Sequence, residues 1–186
     1  MTDTIDIRFT GNELSQGEWD GIWEILCECN NEFIPPLSSR NSSSQTELQQ
    51  GSDVLDDHID NKPYVYFEEL RKQQFIIAKR DDRVVGFLTF KTDYICDALS
   101  KFGASNYITT VCVRKEFRKQ GILTKMYEQM ESGLPESVSC SRISTRTWSQ
   151  NNAQIKTLMK KGFRMLAKLA NDRGLGVDTL YFGKTV

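Results

Sequence analysis

The stretch from Phe75 to Val113 constrains the fold most. Phe75 to Ala78 and Val84 to Phe90 are apolar runs on either side of the polar turn Lys79 to Arg83, which reads as a β-hairpin, and Tyr107 to Val113 supplies a further strand. Three strands in succession predict an antiparallel core. Upstream, Ile5 to Phe9 alternates apolar and polar residues as a half-buried strand does. Ser15-Gln-Gly-Glu18 then fits the capping box that satisfies free N–H groups at a helix start. The helix begun there carries Trp19, Ile22, Trp23 and Leu26 at helical spacing and has to end before Pro35 and Pro36. Residues 38–52 are rich in Ser, Gln and Asn with almost nothing apolar to bury, which predicts a mobile loop.

Downstream, Ile122, Met126 and Met130, with Leu123 and Tyr127 beside them, form the apolar stripe of another helix, and Ile143 to Trp148 returns as a strand. Ile155, Leu158 and Met159 mark a last helix ending at Gly162. Phe163 to Leu169 and Val177 to Phe182 are strands joined by a turn at Asn171 to Gly174. The order is β-α-(loop/helix)-β-β-β-α-β-α-β-β, a mixed α/β domain without internal repeats. The chain has 186 residues, enough for one compact domain over residues 1–186. A domain of this size buries roughly 70% of its unfolded surface.

Twenty-four Lys plus Arg against 25 Asp plus Glu leave a formal charge of -1. No global basic field therefore draws the chain to nucleic acid or anionic lipid. No apolar run approaches the roughly 18 residues of a membrane span. Met1 to Asp6 lacks the basic start and apolar stretch of a signal peptide. The expectation is a cytoplasmic protein with neither a nucleic acid nor a membrane as partner. The five cysteines, Cys27, Cys29, Cys96, Cys112 and Cys140, form no C-x-x-C and have only His58 as an imidazole partner. Neither a disulfide framework nor a metal site is expected.

Val111 to Thr124 reads as a strand, a basic loop and a helix start. Helix-start N–H groups lack intrahelical partners and sit at the positive end of the dipole, so a phosphate can accept several hydrogen bonds there. Residues 114–125 hold five basic side chains, Arg114, Lys115, Arg118, Lys119 and Lys125, against the single acid Glu116. That suits a polyanionic cofactor, the alternative being a solvated basic turn. Neither G-x-x-x-x-G-K-[ST] nor G-x-G-x-x-G occurs, so a nucleotide P-loop or dinucleotide fingerprint has no support.

Within this segment, Arg118-Lys-Gln-Gly121-Ile-Leu123 resembles the R/Q-x-x-G-x-G/A loop of the GNAT superfamily of acyl-CoA-dependent N-acetyltransferases. Asn151, followed by Thr157-Leu-Met-Lys-Lys-Gly162-Phe163, is similar to that family's N-x-x-A-x-x-L-Y-x-x-x-G-F signature. The element order matches as well, so the resemblance spans nearly the whole chain. It implies a mostly antiparallel mixed sheet flanked by helices, with the fourth and fifth strands splayed around acetyl-CoA as co-substrate. By the same resemblance Val111 and Val113 pair with the pantetheine arm, and Asn151 meets it. Lys119, Gln120, Gly121, Ile122, Leu123 and Thr124 form the pyrophosphate loop, and Arg118 answers the phosphate charge. Lys156 and Lys160 either add to that field or are solvated surface. Two positions depart from the pattern: Leu123 stands where Gly or Ala is usual, and Leu158 where many relatives carry the Tyr that protonates the departing thiolate.

The implied chemistry is transfer of an acetyl group to a primary amine by direct attack. Alignment alone can lower such a barrier by about 7–11 kcal/mol. A dedicated acid typically adds about 10²–10⁴-fold, so its loss is tolerable. Tyr107, Thr109, Thr110 and Tyr181 are the hydroxyls available in place of the missing Tyr, each with packing or strand pairing as its other role. Cys112 is either a covalent relay for the acetyl group or a small side chain packed on the face opposite Val111 and Val113. Residues 47–69 hold seven acids, Glu47, Asp53, Asp56, Asp57, Asp60, Glu68 and Glu69, against Lys62. By the family resemblance this region walls the acceptor site, which would make it an acidic wall favouring a small cationic acceptor or a peptide lysine; the alternative is a solvated helix face. The competing class is a catalytically weak acyl-CoA-binding sensor or interaction domain, motivated by Leu158. A homodimer is compatible with either class.

Overall fold

The computed structural model describes residues 4–43 and 60–186. Its elements are β1 (Ile5–Gly11), α1 (Gln16–Cys29), α2 (Tyr64–Leu70), β2 (Gln74–Arg80), β3 (Arg83–Tyr94), β4 (Ser105–Val113), α3 (Ile122–Ser132), β5 (Arg142–Trp148), α4 (Asn152–Lys160), β6 (Arg164–Leu169) and β7 (Thr179–Thr185). Their order follows the sequence pattern, with the segment left as loop or helix forming α2. The β2–β3 hairpin turns more tightly than the run Lys79 to Arg83 suggests. Asp81, at φ 53°, takes the left-handed conformation that a two-residue turn needs, and Lys79 and Arg83 stay in the strands.

The capping box at α1 is formed. The Glu18 N–H donates to Ser15 Oγ at 3.3 Å, and the Ser15 N–H donates to Glu18 Oε2 at 3.0 Å. Arg8 and Lys79 also donate to Glu18 Oε1, at 2.7 and 3.4 Å, so one carboxylate ties the helix start to β1 and β2. The first residues of the expected mobile loop are anchored instead. The Ser38 N–H donates to Asn30 Oδ1 at 2.7 Å, and buried Ser43 accepts from Gln73 Nε2 at 2.7 Å. Polar residues can thus be held by buried amides without apolar side chains of their own. Residues 44–52 and His58 lie outside the described residues.

The seven strands form one sheet in the order β1-β2-β3-β4-β5-β7-β6. Every neighbouring pair is antiparallel except β4 and β5. These two run parallel and pair only from Asn106↔Ile143 to Ile108↔Thr145, after which the ladder stops although both strands continue. Three contacts clamp the paired part: Ser105 Oγ to Ser144 Oγ at 2.6 Å, Asn106 Nδ2 donating to Val138 O at 2.8 Å, and Thr145 Oγ1 donating to Ile108 O at 3.0 Å. On the other side of β4, Thr110 pairs with Thr89 and Ile108 with Phe90. Thr109 is left as the extra residue of a β-bulge, which bends the strand where it leaves β5.

One sheet face buries Ile76, Val85, Leu88, Ile108 and Ile143 against α3 and α4; the other buries Phe75, Ile77, Phe87 and Cys112 against α1 and α2. Leu158 belongs to the first core, fully buried with Tyr127 and Phe163. The helix register therefore turns this residue into the interior.

Two outcomes test this packing. Burial opposes the Glu18 charge, but the hydrogen bonds from Ser15, Arg8 and Lys79 outweigh it and hold the carboxyl below its ordinary 4.5. A depressed carboxyl contributes stability above its unfolded value and loses it as pH falls through the folded one. Glu18→Gln should therefore cost about 1 kcal/mol at neutral pH and flatten the acid limb of stability, read by urea unfolding at pH 7 and pH 3. Leu158→Tyr should overpack the core by about 1–3 kcal/mol, seen as a lower urea midpoint.

Candidate active site

Beyond the last paired residues of β4 and β5 a cavity of about 540 Å³ opens between the two strands, within the roughly 300–1,000 Å³ usual for small-molecule sites. Thr109 to Val113 form one wall and Thr145 to Trp148 the other. From 109 to 113 the β4 edge turned toward β5 has no strand partner, so its peptide groups face the cavity in need of hydrogen bonds. Val111 and Val113 pack against the α3/α4 core and line the cavity, while Cys112 points to the opposite face, as alternation requires.

The loop before α3 ends the cavity. Lys119 at φ 64° and Gly121 at φ 77° are both left-handed, and no side chain caps the first turn of α3. A loop of this conformation turns successive N–H groups inward and leaves the helix start open to an anion. A Cβ at Gly121 would meet nothing within 4 Å, so the glycine is required by its backbone angle and not by lack of room. Arg118, Lys119, Gly121, Ile122, Leu123 and Thr124 all line the cavity. Leu123 packs its side chain against the core and leaves its N–H at the helix start. Gln120 does not line the cavity; its exposed side chain donates to Glu116 O at 3.3 Å.

The positive charge of this loop is partly spent on α1 and the turn after it. Buried Arg114 pairs with Glu24 at 2.6 Å and donates to Val84 O, Lys115 pairs with Glu32 at 3.5 Å while its backbone N–H donates to Glu28 at 2.7 Å, and Arg118 pairs with Glu32 at 2.9 Å. Glu24, Glu28 and Glu32 recur every four residues, so one acidic stripe meets the basic loop. Lys119 and Lys125 have no ion pair among the described residues and carry the free charge. Lys156 and Lys160 are exposed on α4 and do not line the cavity.

Asn151 caps α4, its Oδ1 accepting from the Gln154 N–H at 3.2 Å while its Nδ2 donates to Thr147 Oγ1 at 3.1 Å, and it lines the cavity. Leu158 does not: Ala153, Gln154 and Thr157 form the α4 side, which corrects the placement of Leu158 beside a thioester sulfur. The four candidate hydroxyls divide. Thr109 and Thr110 reach the cavity wall; Thr109 Oγ1 bonds Gln73 Oε1 at 2.5 Å, and Thr110 Oγ1 bonds the Tyr66 hydroxyl at 2.6 Å. Tyr107 and Tyr181 are fully buried beyond the wall with Leu99. Hydrogen bonding with Cys29, and then burial, hold the Cys112 thiol well above its ordinary value, which removes the thiolate a covalent relay needs.

Of the acids expected to wall the acceptor site, the described ones, Asp60, Glu68 and Glu69, do not line the cavity. Glu47, Asp53, Asp56 and Asp57 lie outside the described residues. Asp60, Glu68 and Glu69 pair with Lys62, Arg71 and Lys72 at 2.9, 3.3 and 2.6 Å. Phe33, Arg146 and Trp148 line the cavity without having been singled out in the sequence. A second Arg in the middle of β5, between two Thr and after the Arg142 that opens the strand, was the signal available for one of them. Among the described residues no cluster of His, Cys, Asp or Glu could hold a metal, and no helix is long and apolar enough to cross a membrane.

No curated relative is matched by sequence. Among solved structures, an N-acetyltransferase from Staphylococcus aureus Mu50 superimposes with a TM-score of 0.63 at 16% identity, covering 98% of this chain and 98% of its own. Ribosomal-protein-alanine N-acetyltransferase from Brucella melitensis gives 0.61 at 14%, covering 97% and 99%. A Bacillus anthracis protein in complex with acetyl coenzyme A gives 0.51 at 20% over 61% of this chain and 62% of its own. At these identities the likeness is one of fold. Family membership comes from the sequence itself: the model of the acetyltransferase (GNAT) family matches residues 19–163, which take in both cavity walls, the loop before α3 and the whole of α4, and the chain belongs to that family.

Proposed function

We propose that this protein transfers the acetyl group of acetyl-CoA to an amine by direct attack. The observation that carries this reading is the continuity of the cavity, which runs from an unpaired strand edge to an uncapped helix start. A pantetheine arm carries amides that can pair with the first, and a pyrophosphate suits the second. The residues present fit the co-substrate. Val111 and Val113 supply the strand edge, Gly121 to Thr124 the helix-start donors, and Lys119 the unpaired charge, while Arg118 is free to exchange Glu32 for a phosphate. Asn151 borders the arm from α4.

Bound acetyl-CoA supplies the thioester carbonyl. The bond from the amine nitrogen to that carbon forms as the carbon–sulfur bond breaks; the nitrogen gives up one proton and the sulfur gains one. Neither a tyrosine nor a histidine lines the cavity among the described residues, so the chain contributes alignment and the proton passes through water. Phe33 and Trp148, with ring centroids 5.8 Å apart, narrow access from the α1 side. The sensor alternative rests on the absence of a tyrosine from the cavity lining among the described residues, and the thiol-release test below decides it.

Calorimetry of the native protein should show saturable acetyl-CoA binding at millimolar affinity or tighter. Gly121→Glu should weaken it by at least about 100-fold, since it forces a side chain into a left-handed position and sets a carboxylate beside the pyrophosphate. Unchanged affinity in a folded variant would remove the loop from the site. Thiol release from acetyl-CoA should rise above background with at least one member of a panel of primary amines; saturable binding without release from any of them would leave only a binding module.

A further inference from the structure

Three arginines gather around the fork end of the cavity with no carboxylate paired to any of them among the described residues. Arg146 lies on β5 in the cavity wall, one residue past the last pair of the parallel ladder. Arg40 and Arg173 converge on a single carbonyl: Arg40 Nη2 donates to Ile34 O at 3.1 Å and Arg173 Nη1 donates to the same oxygen at 2.7 Å. Two cavity-lining rings support them, Arg40 standing 5.3 Å from the Phe33 centroid and Arg173 5.7 Å from that of Trp148. The guanidinium of Arg146 makes one hydrogen bond among the described residues, a long contact of 3.5 Å to the Tyr181 hydroxyl. Beside it the Tyr107 hydroxyl is fully buried and has no hydrogen-bond partner among the described residues.

Asp172 is linked to Arg173 only through Thr179, whose hydroxyl accepts from Arg173 Nε at 2.9 Å and donates to Asp172 Oδ2. Burial first, and then repulsion from Arg40 and Arg146, pushes the Arg173 guanidinium down to about 10. All three arginines are half-buried. A cation partly withdrawn from water is stabilised by a counter-ion, and a planar guanidinium matches two oxygens of a carboxylate or phosphate at once.

We propose that Arg146, with Arg40 and Arg173, holds an oxyanion carried by the acceptor, so that the second substrate is a small amine bearing a carboxylate or phosphate group. This reverses the charge expected from the acidic segment, whose described members are paired with surface cations. The position of the anion relies on the cavity alone; its assignment to the acceptor rests on the acetyl-transfer reading. An oxyanion at Arg146 would place the amine of the same molecule beside the bulge at Thr109, across the cavity.

The test separates the two readings. Calorimetry of the CoA-loaded protein with N-acetylglycine and N-acetylglutamate, each against its amide, reads the anion site without turnover. At least one acid should bind about 10- to 100-fold more tightly than its amide, as expected for a charge-assisted hydrogen bond. Arg146→Gln should erase that preference, with acetyl-CoA affinity as the control for folding. Arg146→Lys, which keeps the charge and loses the fork, should retain part of the preference and stands in should the Gln variant fail to fold. In parallel, thiol release is compared for glycine, glutamate, their amides and aminomethylphosphonate, the last deciding between carboxylate and phosphate. Acid-selective binding lost in Arg146→Gln, but no thiol release with any amine, keeps the anion site and overturns the transfer reading. Thiol release equally fast with acids and amides, together with no acid-selective binding, overturns the anion site and keeps the transfer reading. An acid preference that survives in both Arg146 variants also overturns it.

Discussion

Thr145 donates its hydroxyl to the Ile108 carbonyl at the last pair of the parallel ladder, and the course of β4 and β5 beyond that pair depends on the ladder ending there. Parallel pairing is weaker per residue than antiparallel pairing, and here it is confined to three pairs beside clamps from Ser105, Ser144 and Asn106. The bulge at Thr109 bends β4 away at the same level. A continuous ladder would fill the space with hydrogen bonds between strands; its interruption leaves backbone donors and acceptors that only a ligand or water can satisfy. Helix packing on both faces holds the separated strands in place, with α3 and α4 on one side and α1 and α2 on the other.

Much of this is legible before any coordinates. The capping box at Ser15, the β2–β3 hairpin and the stripe of α3 each depend on near neighbours in sequence; the box and the stripe appear where their patterns put them, and the hairpin appears with a tighter turn. The loop from Arg118 to Thr124 is likewise local, because its left-handed glycine and helix start lie within a few residues. Leu158 is different: its facing depends on the rotation of α4 against Tyr127 and Phe163, which no motif states. The convergence of Arg40 and Arg173 on Ile34 joins segments far apart in the chain, so neither residue carries a local signal. Ser38 and Ser43 illustrate the same limit, since a polar stretch reads as loop until distant Asn30 and Gln73 prove to be its partners.

The charge pattern is also a product of the fold. Five basic residues within twelve read as a strong field in the sequence, yet Glu24 pairs with Arg114 and Glu32 with Lys115 and Arg118, which neutralises much of it. Such half-exposed pairs contribute little stability, so a phosphate can take over Arg118 at small cost. The three arginines near the fork show the opposite balance, half-buried and with no carboxylate paired to them among the described residues. The molecule therefore places exchangeable charge at one end of its cavity and uncompensated charge at the other.

The buried amide of Gln73 sets one further property of the wall. Its nitrogen donates to Ser43, which leaves its oxygen to accept from both Thr89 and Thr109. The hydroxyl hydrogen of Thr109 is thereby committed toward that oxygen and the nearby Thr89 carbonyl, and only lone pairs remain to face the cavity. A side chain that looks in sequence like a proton donor is in the folded chain an acceptor. It is suited to orienting an N–H bond and unsuited to quenching a thiolate.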